Sequence, residues 1–359
     1  MPTVAATKNS VVRLKDIAER LNVSVSTVSR ALGKETSRLV APELRKKINE
    51  LALETRYVPH PAAQLMRKPN IHLITVLLPF DSGIFLSDYY GTVLSGVISA
   101  SRELGTETRL SLISNEQEDG EVVEQMQRVA IGAGGLFYTA DPLRAEDLAK
   151  IEDFGRPVVV MSGCLPPNIE LSSIRVSTVG SDNVTGAYQI TKELLGMGHQ
   201  RIGLVNGPAM SRDASEREQG FLKAMKEHNG IIDPRAMTRV QFSADAGMLG
   251  WQQIKRCVPL PTAVVCGNDA IAFGVLESLA QDKIGCPGQM SVVGFDDARG
   301  AVHVTPKLTT VRQSIAQLGR AATEILIRQL QTGDEPEVEH LVFPTEIVRR
   351  QSAAPPSRT

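Results

Sequence analysis

The chain is 359 residues long, 42% hydrophobic, 4% aromatic and 22% charged, which suits a soluble protein of two or three domains. No stretch approaches the ~20 apolar residues that span a bilayer, and the opening MPTVAATKNS lacks the apolar core of a secretory signal, so no membrane association and a cytoplasmic location are expected. The net charge of −1 hides an asymmetry: residues 1–70 carry 13 Lys and Arg against 6 Asp and Glu, a net +7, and residues 71–359 carry −8. A positive field concentrated at one end is the footprint of phosphate contacts.

In chain order, residues 1–11 read as a disordered tail. The next segment, LKDIAERLNVSVSTVSRAL at 14–32, reads as two short helices joined by a tight turn. In the first, over about 15–21, Ile17, Ala18 and Leu21 share one face while Lys15, Glu19 and Arg20 take the other. Asn22 falls in the turn, where the backbone must be left-handed and Asn is among the few residues that tolerate it. Ser24 is placed to cap the second helix; Val28 faces inward, and Val25, Ser26, Ser29 and Arg30 face outward. Such a second helix lies in the major groove of DNA with its first side chains on base edges. Arg30 can fork onto a guanine, Val25 can touch a thymine methyl, and Ser26 can bond several bases. A third helix over about 42–55, opened by Pro42 and striped by Leu44, Ile48 and Leu51, closes a helix-turn-helix domain spanning 12–58. After it, RYVPHPAAQLMRK at 56–68 holds two prolines that stop the helix and a run, AAQLM, too short to fold alone. Residues 59–70 therefore read as a hinge.

These segments resemble the N-terminal pattern of the LacI/GalR family of bacterial transcriptional regulators, in LKDIA at 14–18, VSVSTVSR at 23–30, YVPH at 57–60 and AAQLM at 62–66. The resemblance implies a sequence-specific DNA-binding repressor, acting as a homodimer on a near-palindromic double-stranded operator. It places base reading on Val25 and Ser26 and a later contact on Arg30, with Ser24, Thr27 and Ser29 around them. It further implies that the hinge helices of two subunits pair in the minor groove, with Met66 by position the apolar wedge and Ala63 beside the DNA. The chain departs from the pattern at Arg13 and Ala41, where polar helix caps are usual, in the longer loop GKETSRLV, and at His60 and Pro61 of the hinge. Each lost cap costs about 1 kcal/mol.

From His72 onward, apolar strands alternate with amphipathic helices: HLITVLLPF, TVLSGVISASREL, TRLSLIS, VVEQMQRVA, GGLFYTA and PVVVMSG. A second set starts with a helix from Asn183 and continues through RIGLVNG, REQGFLKAMKEHNG, a strand around Val240, LGWQQIKR, TAVVCG, AIAFGVLESLA and SVVGFD. This rhythm gives two α/β lobes with parallel sheets covered on both faces. The late helix SIAQLGRAATEILIRQL is expected to return to the first lobe, as in the periplasmic-binding-protein-like core that the resemblance implies. The lobes are drawn as 71–180 with 314–341 and 181–313 with 342–352, leaving 353–359 as a second disordered tail. The fold class is multidomain: an all-α helix-turn-helix domain followed by a two-lobed α/β core.

Parallel sheets of this kind bind ligands beyond the carboxyl ends of their strands, and two lobes form a cleft there. The resemblance places an effector on Arg217 of REQGF, Asn268 of the ND pair, Asp296 of VVGFDD, Phe242, and the pair Tyr89 and Tyr90, with Arg212 and Asp213 at the rim. Arg217 and Asp296 suit vicinal hydroxyls, Asn268 offers donor and acceptor, and an aromatic face covers a sugar ring, so a sugar-like effector is expected. Each residue also has a plain structural role open to it: Asp296 and Asn268 as cap or turn, Arg217 as a surface charge, Phe242 as core. A nucleobase or phosphosugar co-repressor stays open as well, though Ser211 stands where some purine-binding members carry Arg. In another class, so does a solute-binding sugar sensor without DNA function. No phosphate loop, HExxH or GxSxG elbow is present, GAGG at 132–135 precedes a strand, and the six His are scattered. Cys164, Cys257, Cys266 and Cys286 make no CxxC pair and are expected to be reduced. No enzymatic activity, cofactor or metal is expected.

Overall fold

A computed structural model describes residues 14–32, 37–55, 57, 70–80, 83–114, 121–332 and 337–357. The chain divides into two compact units, Met1–Pro69 and Asn70–Thr359. The expected N-terminal tail and the hinge positions Ala63 and Met66 lie outside the described residues.

The first unit contains α1 (Leu14–Arg20), α2 (Val25–Leu32) and α3 (Pro42–Glu54). Ile17, Ala18, Val28, Ala31, Val40, Ile48 and Ala52 form its core, with Leu14, Leu21, Leu44 and Leu51 packed around them. The small residues Ala18 and Ala31 let α1 and α2 approach closely. Ala41 precedes α3 with no side-chain cap, and Pro42 supplies the fixed φ of the first turn instead.

In the second unit the first lobe holds β1 (Asn70–Pro79), α4 (Asp88–Leu104), β2 (Glu107–Ile113), α5 (Glu121–Val129), β3 (Ala133–Tyr138), α6 (Ala145–Glu152), β4 (Val158–Met161) and β5 (Ser177–Ser181). The chain then builds α7 (Asn183–Gly196), β6 (Ile202–Asn206), α8 (Arg212–Glu227), β7 (Met237–Arg239), α9 (Ala244–Ile254), β8 (Ala263–Cys266), α10 (Asp269–Gln281), β9 (Ser291–Asp296) and β10 (Thr309–Arg312) in the second lobe. It returns for α11 (Ile315–Thr332) and β11 (His340–Phe343), and crosses once more to β12 (Glu346–Val348). The sheets run β11-β5-β4-β3-β1-β2 and β12-β10-β9-β8-β6-β7. All neighbours are parallel except β12, which is antiparallel to β10. β3, β4 and β8 are buried along their whole length, as strands covered on both faces must be.

Helix α11 packs on α4 backbone to backbone. A Cβ on Gly96 would sit 1.8 Å from the carbonyl oxygen of Ala316, and one on Gly319 would sit 2.1 Å from that of Val93. Two glycines in register thus bring the returning helix onto the first lobe.

Several elements differ from the sequence expectation. α8 and α9 each begin five residues earlier than REQGF and LGWQQ suggest, because Ser211 and Ser243 accept the amides of Ala214 and Ala246 and start the helices there. The strand expected around Val240 is Met237–Arg239. Dividing the lobes between 341 and 342 would cut β11, which pairs with β5 from His340 to Phe343, so the chain leaves the first lobe only after Phe343. The expected tail at 353–359 is corrected for residues 353–357, which lie on the second lobe. Ser352 Oγ donates to the Val292 carbonyl at 2.6 Å, the Ala354 amide donates to Ser291 Oγ at 3.1 Å, and the Ala354 carbonyl bonds His199 Nε2 at 2.9 Å.

Replacing Gly319 with Val forces α4 and α11 apart. A loss of about 3 kcal/mol in unfolding free energy is expected, read by urea denaturation; an unchanged midpoint would contradict the close approach.

Candidate functional site

Two sets of residues are candidates for contact with other molecules, one in each unit. In the first unit Asn22 takes φ 49°, the left-handed turn that sends α2 across α1. Ser24 Oγ accepts the Thr27 amide at 3.0 Å and also bonds the hydroxyls of Ser26, at 2.7 Å, and Thr27, at 2.8 Å. The cap therefore fixes the N-terminal turn of α2 and engages the Ser26 and Thr27 hydroxyls with itself. Val25, Ser26 and Arg30 are exposed, Ser29 is half-buried, and Val28 points into the core. An exposed apolar residue, hydroxyls and a guanidinium on the leading face of a capped helix are the equipment of base-edge reading.

In the second unit the carboxyl ends of β6, β8 and β9 and the start of α8 converge on Arg217, whose side chain is only 5% exposed. Its Nε donates to Asn183 Oδ1 at 2.9 Å, and Nη1 donates to the Gly267 carbonyl at 2.5 Å. The guanidinium lies 4.1 Å from the Phe295 ring centroid and 5.9 Å from that of Phe242. Two carboxylates stand beyond hydrogen-bonding range but within ion-pair distance, Asp213 at 3.9 Å and Asp296 at 4.0 Å. Arg217 is thus a buried cation held by neutral acceptors, an aromatic face and two nearby charges, and not the surface charge that its helix position also allowed.

Asp296 closes β9 with φ 121°, a strained backbone outside the range most side chains adopt. Gln313 Nε2 donates to its Oδ1 at 2.6 Å from the segment that leads back to the first lobe. Burial pushes its carboxyl up to about 6, against the opposing pull of Arg217 and Gln313. Asp269, one residue into α10, lies deeper still: it accepts the Ala298 amide at 2.7 Å and the Thr310 hydroxyl at 2.5 Å, and desolvation raises its carboxyl well above the ordinary range.

Asn268 caps α10, its Oδ1 accepting the Ile271 amide at 2.9 Å. The cap role that residue type left open is thus filled, while the amide NH2 and the second lone pair of Oδ1 stay available to a ligand. Phe242 lies over Gly207, where a Cβ would be 2.1 Å from the ring, and keeps 36% of its surface exposed. From the first lobe, Tyr89 and Tyr90 form an edge-to-face pair 5.4 Å apart. Burial is the main cause of a phenol raised well above its ordinary value at Tyr89, and Asp213 and Asp296 add to it across the cleft. The cleft therefore brings together Tyr89, Arg217, Asp296 and Phe242, and Asn268 follows the carboxyl end of β8.

Sequence spacing gave no sign of Asn183 or Glu216. Asn183 Nδ2 donates to Asp213 Oδ1 at 3.0 Å and to Glu216 Oε2 at 3.1 Å, so one amide ties three residues of α8 together. Its partners lie 30 to 34 positions away in the chain, beyond any helical or strand period. Burial, and then Asp213, push the Glu216 carboxyl up. A hollow of about 400 Å³ lies elsewhere, against edge strand β7, lined by Leu204, Glu218, Pro234, Met237 and Arg239. The convergence of polar groups, rather than volume, marks the cleft. Among the described residues no group of three or more His, Cys, Asp or Glu could hold a metal ion, and no helix is long and apolar enough to cross a membrane.

Residues 13–60 match the model of the bacterial regulatory proteins of the lacI family, and residues 191–353 match a periplasmic binding protein-like domain. Among curated relatives, the ribose operon repressor of Haemophilus influenzae is 26% identical over 94% of this chain and 97% of its own. The HTH-type transcriptional repressor CytR of Escherichia coli is 27% identical over 91% and 92%. Among solved structures, a lac repressor dimer bound to operator and the anti-inducer ONPF aligns with a TM-score of 0.78 at 23% identity, covering 96% of this chain and all of that one.

A test follows from Asp296. Its folded pKa of about 6 lies above the ordinary carboxylate value, so between the two the native state holds the extra proton. This contribution to stability is present below the unfolded value and fades as pH rises through about 6. Asp296→Asn should remove that slope, measured as the difference between the two proteins in denaturant midpoint from pH 4 to pH 7.5; parallel profiles would contradict a buried carboxyl at 296.

Proposed function

We infer that this chain, which belongs to the lacI family of bacterial regulatory proteins, is a sequence-specific DNA-binding transcriptional repressor whose operator affinity is set by a small sugar-like effector between its two α/β lobes. The observation that carries the reading is the presence in one chain of a capped helix with an exposed reading face and a cleft whose polar groups converge on Arg217. The DNA contacts are assigned to Ser24, Val25, Ser26, Thr27, Ser29 and Arg30, with Ala63 and Met66 in the hinge. The effector contacts are assigned to Tyr89, Tyr90, Arg217, Phe242, Asn268 and Asp296. No catalysis, cofactor or metal is needed for this work, and the working location is the cytoplasm.

Charge argues for an uncharged polyol over a phosphorylated one. Asp213, Glu216 and Asp296 face Arg212 and Arg217, so carboxylates outnumber guanidiniums, and both guanidiniums are already bonded within the protein. A phosphate placed there would meet repulsion without a free cation to answer it. The name of the ribose operon repressor supports the same class.

Exposed apolar side chains on the first lobe support a homodimer. Leu110 and Leu112 project from β2, the outer strand of its sheet, and Phe85, Leu86 and Ile98 are exposed in the same lobe. An open strand edge with apolar side chains is a surface that seeks a partner, and the lac repressor aligned above is a dimer on its operator.

Two measurements test the reading. Arg30→Ala should weaken binding to a selected operator by about 1–3 kcal/mol while changing nonspecific affinity little, as read by competition gel shifts; an equal loss on every sequence would remove base reading from Arg30. A thermal-shift series against sugars, sugar phosphates and nucleobases should find a neutral sugar that raises the melting temperature. Arg217→Lys should abolish that shift, because an ammonium cannot reproduce the planar fork; stabilisation by sugar phosphates alone would overturn the charge argument.

A further inference from the structure

The two lobes are joined across the cleft by contacts between the protein's own atoms. Arg212, the first residue of α8 in the second lobe, donates from Nη1 to the main-chain carbonyls of Ile169, at 2.6 Å, and Pro166, at 3.4 Å, both in the first-lobe loop between β4 and β5. Its Nε is held by Glu216 Oε1 at 2.7 Å, with side-chain exposures of 12% and 18%. Beside it, Asp213 lies so close to Gly163 of the same loop that a Cβ there would be 2.6 Å from Oδ2. On the opposite side, the main-chain amide of Arg299 donates to Asp88 Oδ2 at 3.2 Å.

We propose that Arg212 is an interlobe latch, a positioning residue that holds the cleft shut through the carbonyls of residues 166 and 169 and is wired to Arg217 through Glu216 and Asn183. The wiring is a continuous run of hydrogen bonds: Arg217 Nε donates to Asn183 Oδ1, Asn183 Nδ2 to Glu216 Oε2, Arg212 Nε to Glu216 Oε1, and Arg212 Nη1 to the Ile169 carbonyl. A ligand that draws Arg217 toward itself shifts the Asn183 amide, and with it the carboxylate that aims Arg212.

The chemistry of the latch makes it reversible. Arg212 and Glu216 are one helical turn apart, so their ion pair travels intact with α8 when the lobes part. Only the bonds to two carbonyls are exchanged for water, and such an exchange changes free energy modestly. A guanidinium is required because it serves the carboxylate with Nε and the carbonyls with Nη1 at the same time, which an ammonium on a flexible stem does poorly. The latch thereby sets the resting balance between open and closed lobes, on which any effector acts by population shift.

The test uses the full chain with nitroxide labels on substituted cysteines at Ala145 and Met210, both exposed at the cleft ends of their lobes, in a Cys286→Ser background diluted with unlabelled protein. Inter-label distances are measured with no small molecule added. The parent protein should show one short distance; Arg212→Met should move the distribution to longer values, Arg212→Lys should fall between, and operator affinity of the Met variant should change at least about fivefold. Arg349→Met, which removes the pair of an exposed guanidinium with the half-buried Glu193 inside the second lobe, should match the parent in both measurements. Emission from the buried Trp251 reports that each variant is folded. If Arg212→Met keeps the parent distance, if its operator affinity is unchanged, or if the parent itself is open, the latch is ruled out.

Discussion

A guanidinium with 5% of its surface left to water must be compensated from within, and the second lobe is organised around doing so for Arg217. Helix α8 carries it, the end of β8 offers the Gly267 carbonyl, β9 supplies the Phe295 ring and Asp296, and the start of α7 supplies Asn183. Removing one partner of such a group leaves an uncompensated charge, typically a loss of about 3–5 kcal/mol. The same partners hold the donors in place before any ligand arrives, so a ligand does not have to order them. The strained φ of Asp296 belongs to this arrangement, since surrounding bonds from Gln313 and the field of Arg217 keep it there.

The helical unit obeys a different economy. Its core is small, Ala41 offers α3 no side-chain cap, and the basic residues of this end repel one another. A duplex neutralises that repulsion, so binding and stability are linked there by mass action. The cleft has the opposite character: carboxylates raised by burial, a cation sealed against an aromatic ring, and neutral amides between them. One end of the chain answers to salt and phosphate, the other to shape and hydrogen bonding.

What was legible in the sequence was what depends on neighbours in the chain. Asn22 in its left-handed turn, Ser24 as a cap and Pro42 at the head of a helix are set within a few residues, and Ile17, Val28 and Ile48 each follow the apolar period of their own helix. Apolar strands such as β3 and β4 were equally plain. β5 and β10 were not, because Ser177, Thr178, Thr309 and Thr310 look like loop residues until Gln329, His340 and Asp269 satisfy some of their hydroxyls from elsewhere in the fold. Arg217 and Asp296 were reached through family resemblance, whereas Asn183 was missed because a shared amide leaves no spacing signal. Asn268 shows the other limit: residue type left cap and ligand contact both open, and only the fold shows that its Oδ1 caps α10.

The final stretch of the chain turns out to be masonry. Ser352 bridges β9 and β10 near their amino ends, accepting the Thr309 amide while donating to Val292, and the Ala354 carbonyl meets a His199 ring whose pKa burial lowers. Residues 352 and 354 thus hold the amino ends of β9 and β10, opposite the carboxyl ends that face the cleft. Trimming back to residue 351 would leave an imidazole and two strand ends facing solvent they were never shaped to meet.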